Sequence, residues 1–348
     1  MDSVIKNYYK KIQLNVYEIS KREFGIGFND KIEMRHLNFS SLDELKNFLV
    51  DKKPRYISYS SALYEFPGAR PMERKNLYAC ELTFDIDIQT MSKLLTKDEL
   101  SFAKEQVNRL IDDFLVSDFG ISKDKIILNF SGNRGFHVHV YDESIMKLDS
   151  DARRQISDYI TGKIFNKFDQ FFNIKGNVIS DGISLNEIGL KNRIAKKFID
   201  LITESNNEFV KLKYALINGN YVGIVFHNAR YFKQKLQRIF LDAKKKVFVS
   251  IDEKVTFDLS KLIRMPDSIH GSTGLIAKTI TIKELDNFNP YEHAIIKFKG
   301  EAKVVAKEDI KLPELDLEIQ KNKEIIIPIK FAFPLACLNL IDVLEVMI

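Results

Sequence analysis

The chain has 348 residues with 45% hydrophobic content, enough for a proper core in two domains or in one large α/β domain with an insertion, so it is read as a globular protein. Lysine and arginine outnumber aspartate and glutamate by only 53 to 48, which excludes a strongly basic whole and leaves any nucleic-acid surface to local clustering. The two cysteines, Cys80 and Cys337, are too few for a disulfide framework or a four-cysteine zinc site and suit a reducing cytosol.

The polar start, Met1-Asp2-Ser3-Val4-Ile5-Lys6, fits neither a signal peptide nor a transit peptide, so a cytoplasmic protein is expected. Val4, Tyr8, Ile12, Val16 and Ile19 recur near helical spacing and predict a helix to about Arg22, before Gly25 and Gly27. Ser41-Leu42-Asp43-Glu44 is a capping-box pattern that opens a helix through about Val50, ahead of Pro54. Arg55 to Ser61 and Tyr78 to Asp87 read as strands, joined through Pro67-Gly68 and Arg70-Pro71. A long amphipathic helix is expected from Lys97 to Phe119, then strands from Lys125 to Phe130 and from Phe136 to Tyr141 around a glycine-containing turn. Ser150 to about Phe172 is again helical, and the stretch to about Val249 is rich in Lys, Asn and aromatics with weaker periodicity. Strand-like sequence resumes at Lys246 to Ile251, and a short helix is expected at Asp258 to Ile263 before Pro266. The order predicts a mixed α/β (α+β) fold with an insertion in its middle.

Phe331 to Ile348 is an apolar tail broken by Pro334, Asn339, Asp342 and Glu345, too short and too interrupted to span a membrane. Leu335, Leu338, Ile341, Leu344 and Ile348 would form one apolar helical face, packed on the parent domain or docked on a partner subunit.

Leu82-Thr83-Phe84-Asp85-Ile86-Asp87 carries the most informative chemistry. Successive strand side chains alternate faces, so Asp85 and Asp87 point the same way, about 7 Å apart along the strand. Two like charges so placed destabilise a strand unless a cation neutralises them. Oxygen-only ligands suit Mg²⁺ or Mn²⁺ carrying substrate phosphates, and the pair suggests phosphoryl or nucleotidyl transfer; a solvated edge strand is the plainer alternative. Downstream lies Ser131-Gly132-Asn133-Arg134-Gly135-Phe136-His137-Val138-His139-Val140, where two glycines bracket a turn that brings backbone N–H groups, the Ser131 hydroxyl and Arg134 toward a phosphate. A third segment holds Asp252 and then Lys261-Leu262-Ile263-Arg264-Met265-Pro266-Asp267-Ser268-Ile269-His270-Gly271, which presents Arg264 and His270 near glycines and again suits phosphate recognition.

In this order the three segments resemble the small, catalytic subunit of archaeal and eukaryotic-type DNA primases; Arg22-Glu23-Phe24-Gly25 and Tyr59-Ser60-Ser61-Ala62-Leu63-Tyr64 are similar to the family's amino-terminal motifs. The resemblance covers about residues 1 to 280. It implies a primase-type core, a mixed sheet with flanking helices, here expected over residues 1–148 and 246–330; the weakly periodic middle, 149–245, reads as an inserted, largely helical subdomain and 331–348 as the tail. It also implies a metal-dependent nucleotidyltransferase that makes short primers on single-stranded DNA from nucleoside triphosphates, in a heterodimer with a large subunit and away from membranes. Asp85 and Asp87 match the first two metal-binding carboxylates of the family, with Mg²⁺ or Mn²⁺ as the ion. Asp252 best matches the third; Asp258 competes, though it also reads as a helix N-cap. By the same matching, Ser131, Arg134, His137, Arg264 and His270 would contact the incoming triphosphate.

The sequence departs from the family pattern at three places. Asn133 stands where the first of two arginines is usual, and Ser272 where a lysine commonly follows the His-Gly pair. No Cys/His cluster lies between Asp87 and Ser131, so no structural zinc is expected. Lys191, Arg193, Lys196 and Lys197, and Arg230, Lys233, Lys235 and Arg238 with Tyr231 and Phe232, form clusters of the kind that track a phosphate backbone and stack bases, and equally of the kind that make solvated helix faces. A repair or gap-filling polymerase of the same superfamily, or a non-catalytic nucleic-acid-binding relative, are the alternative readings.

Overall fold

The computed structural model describes residues 2–90, 93–203 and 206–347. These form two compact units. One comprises the described residues up to Glu105, Asp124–Arg153 and those from Asp252 onward; the other comprises Gln106–Lys123 and Arg154–Ile251.

In the first unit, helix α1 (Asp2–Lys11) buries Val4, Ile5 and Tyr9. The expected continuation to Arg22 is not made: Ile12 and Val16 reach the core from non-helical chain, so their four-residue spacing imitates a helix without being one. Glu18, in the left-handed region (φ 50°), then opens a single 3-10 turn that delivers Arg22. Strands β1 (Phe24–Gly27) and β2 (Met34–Leu37) precede helix α2 (Leu42–Lys52), which starts as its sequence predicts, Ser41 Oγ accepting from the Glu44 N–H at 3.2 Å. Strand β3 (Tyr56–Ser60) follows, and the strand Leu262–Arg264 adds to its edge. The resulting antiparallel sheet runs in the order Leu262–Arg264, β3, β1, β2.

The single strand expected from Tyr78 to Asp87 is two. After β4 (Ala62–Tyr64), strand β5 (Leu77–Cys80) closes a hairpin on it, and β6 (Leu82–Asp87) turns into a separate sheet. The break falls at Glu81, a fully buried carboxylate held by side chains from elsewhere. Helix α3 (Lys97–Arg109) leads on to β7 (Ile126–Phe130) and β8 (Gly135–Val140). The second antiparallel sheet has the order Thr279–Ile280, β7, β8, β6. One face is apolar, with Leu82, Phe84, Ile86, Leu128, Phe130, Phe136 and Val138 at 0% exposure, and the period of two puts Thr83, Asp85, Asp87, Asn129, His137 and His139 on the other.

Two short elements differ from expectation in ways that bear on the site. The helix predicted at Asp258–Ile263 lies one turn earlier, at Glu253–Phe257, and residues from Leu262 are strand because they pair with β3. In the tail, a helix at Ile329–Cys337 ends near Asn339 (φ 56°), and Ile341–Met347 is a strand rather than the expected helical face. β-branched Ile341, Val343 and Val346 pair with Glu301–Ala306, so the three-residue apolar spacing was coincidental; Ile348 lies outside the described residues.

In the second unit, the chain from α3 continues as a π-helix, Leu110–Asp118. The helix predicted from Ser150 to Phe172 stops at Thr161, ahead of Gly162 in the left-handed region, and Phe172 begins a strand. Strands Phe172–Lys175, Val178–Gly182 and Ile224–Val225 make a small antiparallel sheet beside helices Gly189–Leu201, Asn207–Asn218 and Ala229–Val247. Residues 246–251 are not a strand: Val247 ends the long helix and Phe248 and Val249 are simply buried, a case where a short apolar run does not reveal its secondary structure. Among the described residues no helix is long and apolar enough to cross a membrane.

A buried ion cluster fixes the frame around β6. Arg22, at 0% exposure, donates from Nη2 to Glu81 Oε2 at 3.0 Å and from Nε to the Tyr17 carbonyl at 2.7 Å, with its guanidinium 4.4 Å above the Tyr59 ring. His139 Nδ1 lies 3.0 Å from the other Glu81 oxygen, and Arg153 donates to the Glu81 and Cys80 carbonyls. Burial alone would raise the Glu81 carboxyl, but Arg22 and then His139 outweigh it and hold it at about 2. Arg22→Ala strands this carboxylate, and a loss of about 3–5 kcal/mol in urea unfolding is expected; a loss below 1 kcal/mol would show that the pair does not support the fold.

Candidate active site

Strand register builds the acidic side. Asp85 pairs with His137 and Asp87 with Gly135 across β6 and β8. Gly135 is obligatory here, since a Cβ at that position would lie 1.7 Å from the Ile86 carbonyl oxygen. The Asp252 N–H donates to the Asp85 carbonyl at 2.8 Å, which brings a third carboxylate to the same strand. Asp252 also caps the Glu253–Phe257 helix, its Oδ1 accepting from the Lys254 N–H at 3.1 Å. The N-cap role that sequence suggested for Asp258 therefore belongs to Asp252. Asp258 instead accepts from Ser260, and its charge is felt at Tyr64 and Cys80 rather than at Asp85.

The electrostatics tie the three aspartates together. Partial burial, then the Asp87 carboxylate, then that of Asp252, push Asp85 up to about 7. Lys261 and Lys31 act the other way without cancelling the effect. Asp87 and Asp252 are exposed at the edge of the site. The donors are all carboxylate oxygens and their charge is poorly compensated, which fits a hard divalent cation. Among the described residues no group of three or more His, Cys, Asp or Glu side chains is placed to hold a metal ion.

Nitrogen donors gather beside the carboxylates. His137, 6% exposed, has Nε2 3.7 Å from Asp85 Oδ1, and burial, then His139 and Arg264, lower it well below the ordinary histidine range. The ring is neutral, so this is a contact and not an ion pair. His270 is also neutral, for reasons led by burial and followed by Arg264, Lys31, His137 and Arg134. Arg264 stands 5.7 Å from the Tyr56 ring; burial lowers it to about 10, partly offset by Tyr56, Tyr9 and Asp85. Buried nitrogens of all four, Arg134 Nε, His137 Nδ1, Arg264 Nη1 and His270 Nδ1, lack a hydrogen-bond partner. Arg134 also donates from Nη1 to the Thr90 carbonyl at 3.4 Å, and cations and neutral donors that each keep a buried nitrogen free are the arrangement an anion completes.

The turn between β7 and β8 is built to reach this point. Gly132 (φ 79°) packs where a Cβ would lie 2.9 Å from His270 Cβ, and Thr273 Oγ1 donates to the Gly132 carbonyl at 2.5 Å. Ser131 Oγ accepts from the Asn133 N–H at 3.3 Å, which leaves its own O–H as a donor. Ser272, in the position where a lysine is common, is hydrogen-bonded to the Tyr56 hydroxyl at 2.8 Å.

Sequence reasoning missed three residues here. Lys31, from the β1–β2 loop, acts on both Asp85 and His270 and sits in no motif that would have marked it; Lys261, which acts on Asp85, opens the third segment but was not singled out there. Asn129, directly opposite His137, carries a buried amide with no partner at either atom, a signal visible only once the register is known. Of the basic clusters in the second unit, Arg193 is tied bidentately to Asp118 and lies 5.1 Å from the Phe114 ring, while Phe232 is fully buried, so neither is offered to a nucleic acid.

Residues 84–282 match the model of the DNA primase small subunit family. The chain is 33% identical over 329 residues to the DNA primase small subunit of Thermoplasma acidophilum, an alignment covering 90% of each chain. The chain belongs to the DNA primase small subunit family. It is likewise 34% identical over 312 residues to the Picrophilus torridus primase small subunit, covering 83% of this chain and 82% of that one. With the Pyrobaculum aerophilum primase small subunit the identity is 32% over 320 residues, covering 89% and 88%. The resemblance read from three short motifs therefore extends over most of the chain, and the mixed α/β fold it implied is the one observed.

The raised Asp85 value sets a sign for stability. Folded protein without metal holds the Asp85 proton more tightly than the unfolded chain, so the stabilisation from this group is full below about pH 4 and is lost as pH rises through about 7. With the side chain 24% exposed, we discount the ~1.4 kcal/mol per unit shift to about 1–2 kcal/mol in all. Asp85→Asn should be more stable than the parent by about that amount at pH 8 and equal to it near pH 4. Urea unfolding at the two pH values in chelator is the measurement, and an Asp85→Asn protein less stable at pH 8 would contradict the assigned repulsion.

Proposed function

We propose that this chain is the catalytic subunit of a DNA primase, a DNA-dependent nucleotidyltransferase that joins nucleoside triphosphates into short primers on a single-stranded DNA template. The supporting observation is the convergence of three carboxylates, one of them raised to about 7, with four side chains from two other segments that each keep a buried nitrogen without a partner. Acid on one side and unpaired donors on the other are what a metal-bound triphosphate requires.

Asp85, Asp87 and Asp252 would hold Mg²⁺ or Mn²⁺. Such an ion would neutralise phosphate charge and favour attack by a primer 3′-hydroxyl. Arg134 and Arg264 would bind the polyphosphate, with Ser131, His137 and His270 donating to its oxygens. Their preorganisation stabilises the negative charge that grows on the departing pyrophosphate. Neutral histidines suit this task, because each offers one N–H without competing with the metal for position. Lys31, from outside the motifs, and Lys261, at the start of the third segment, bring positive charge, which bears on the cations absent at Asn133 and Ser272.

The relatives are named as small subunits, and we infer that this chain too works with a larger one. Synthesis of a dinucleotide on single-stranded DNA, in Mg²⁺ or Mn²⁺ and with the large subunit present, tests the reading directly. Extension of a supplied primer without initiation would favour a repair polymerase, and nucleic-acid binding without any incorporation would favour a non-catalytic relative. Asp87 is exposed, so Asp87→Ala should abolish incorporation while changing urea stability by no more than about 0.5 kcal/mol; an active Asp87→Ala protein would refute the metal assignment.

A further inference from the structure

Asn129 has no role in the account above and is costly where it stands. It is 1% exposed, and neither Oδ1 nor Nδ2 has a hydrogen-bond partner among the described residues. Buried amides are rarely left so, because each orphaned group forfeits its hydrogen bonds to water without replacement. The antiparallel register gives the reason for its position. Asp85, His137, Asn129 and Thr279 form one row across the sheet, on one face. Thr279 Oγ1 is engaged with Asp267 Oδ2 at 3.2 Å, so it does not satisfy the amide. The neighbour on the other side, His137, has its Nδ1 buried and unpartnered, while its Nε2 faces Asp85 at 3.7 Å. Directly opposed residues in such a pair have Cβ atoms about 4.5–5.5 Å apart, within reach of an amide and an imidazole.

We propose that Asn129 is a positioning residue for His137: on nucleotide uptake its Nδ2–H donates to His137 Nδ1, which keeps the single N–H of the ring on Nε2, where it donates to a phosphate oxygen. A neutral imidazole has one donor and one acceptor nitrogen, and the bond made by one fixes the role of the other. Asn129 supplies that bond from the buried side of the ring, where no other described side chain does. The two orphaned groups are thus a pair held ready, and the inference rests on the nucleotide-binding reading of His137 given above.

The test uses the full chain, with Asn129→Leu as the variant of similar volume. Nucleotide incorporation from ATP in Mg²⁺ gives KM and kcat, urea unfolding gives stability without nucleotide, and ¹⁵N resonances of labelled histidine in the ATP-bound protein report the His137 nitrogens. Loss of the amide–imidazole bond, and with it of the fixed Nε2–H donor to a phosphate oxygen, should raise KM for ATP by about tenfold, with kcat within about twofold, since the partner of the ring and not the reacting atoms has changed. The nucleotide-free variant should be as stable as the parent or more so, and the hydrogen-bonded Nδ1 signal of the parent should be lost. An unchanged KM with an unchanged Nδ1 resonance overturns the proposal, as does a variant that loses stability together with both kinetic constants, which would make Asn129 a structural residue. A parent protein that neither binds nor incorporates ATP would instead overturn the nucleotide-binding reading, and this inference with it.

Discussion

Uncompensated charge governs the centre of this molecule. Asp85 is repelled by Asp87 and Asp252, and beside them His270 is held neutral by burial together with Arg264, Lys31 and Arg134. Each half is unfavourable alone and becomes favourable only with a ligand of opposite sign, a cation for the acids and an anion for the donors. The surrounding charges are arranged differently. Arg22 with Glu81, and Glu23 with Arg35 and Lys75, are closed pairs in which each partner meets its opposite at 3.3 Å or less. Paired charge holds the frame, and unpaired charge gathers at the candidate site.

Much of this was legible in the chain because short-range rules apply to it. The alternation of Asp85 and Asp87, the capping of α2 by Ser41 and the glycines of the Ser131–Gly135 turn depend on neighbours in sequence, and the structure has them as read. Errors fell where long-range pairing decides. Leu262–Arg264 is strand because β3 offers it an edge, and Ile341–Met347 is strand because Glu301–Ala306 does. The break at Glu81 was invisible because its cause, the Arg22 guanidinium, is 59 residues away in sequence. Tertiary context overrides local propensity at each of these points.

The cationic side illustrates the same limit. By motif alone it is depleted, with Asn133 and Ser272 in place of charged residues. In three dimensions Lys31 contributes positive potential from a loop that no phosphate motif includes, and Lys261 adds to it from the start of the third segment. Ser272 meanwhile joins the Tyr56 hydroxyl, and Gly271 lies where a Cβ would meet the Tyr56 ring at 2.5 Å, so this stretch is shaped by packing against an aromatic ring as much as by ligand chemistry. Charge at a site is a property of the field and can be supplied from several places.

The segment from Asp252 to Arg264 joins the two halves covalently. At its start the Asp252 N–H is bonded to the Asp85 carbonyl; at its end Arg264 is registered against Ser58 on β3. Between them lie only one short helix, Glu253–Phe257, and a turn closed by Asp258 and Ser260. The gap between acid and base is therefore set by a length of chain pinned at both ends, not by the attraction of the charges across it. Such a span acts as a gauge: it can keep opposite charges apart while nothing lies between them, and a single residue added to or taken from its turn would reset the size of ligand that fits.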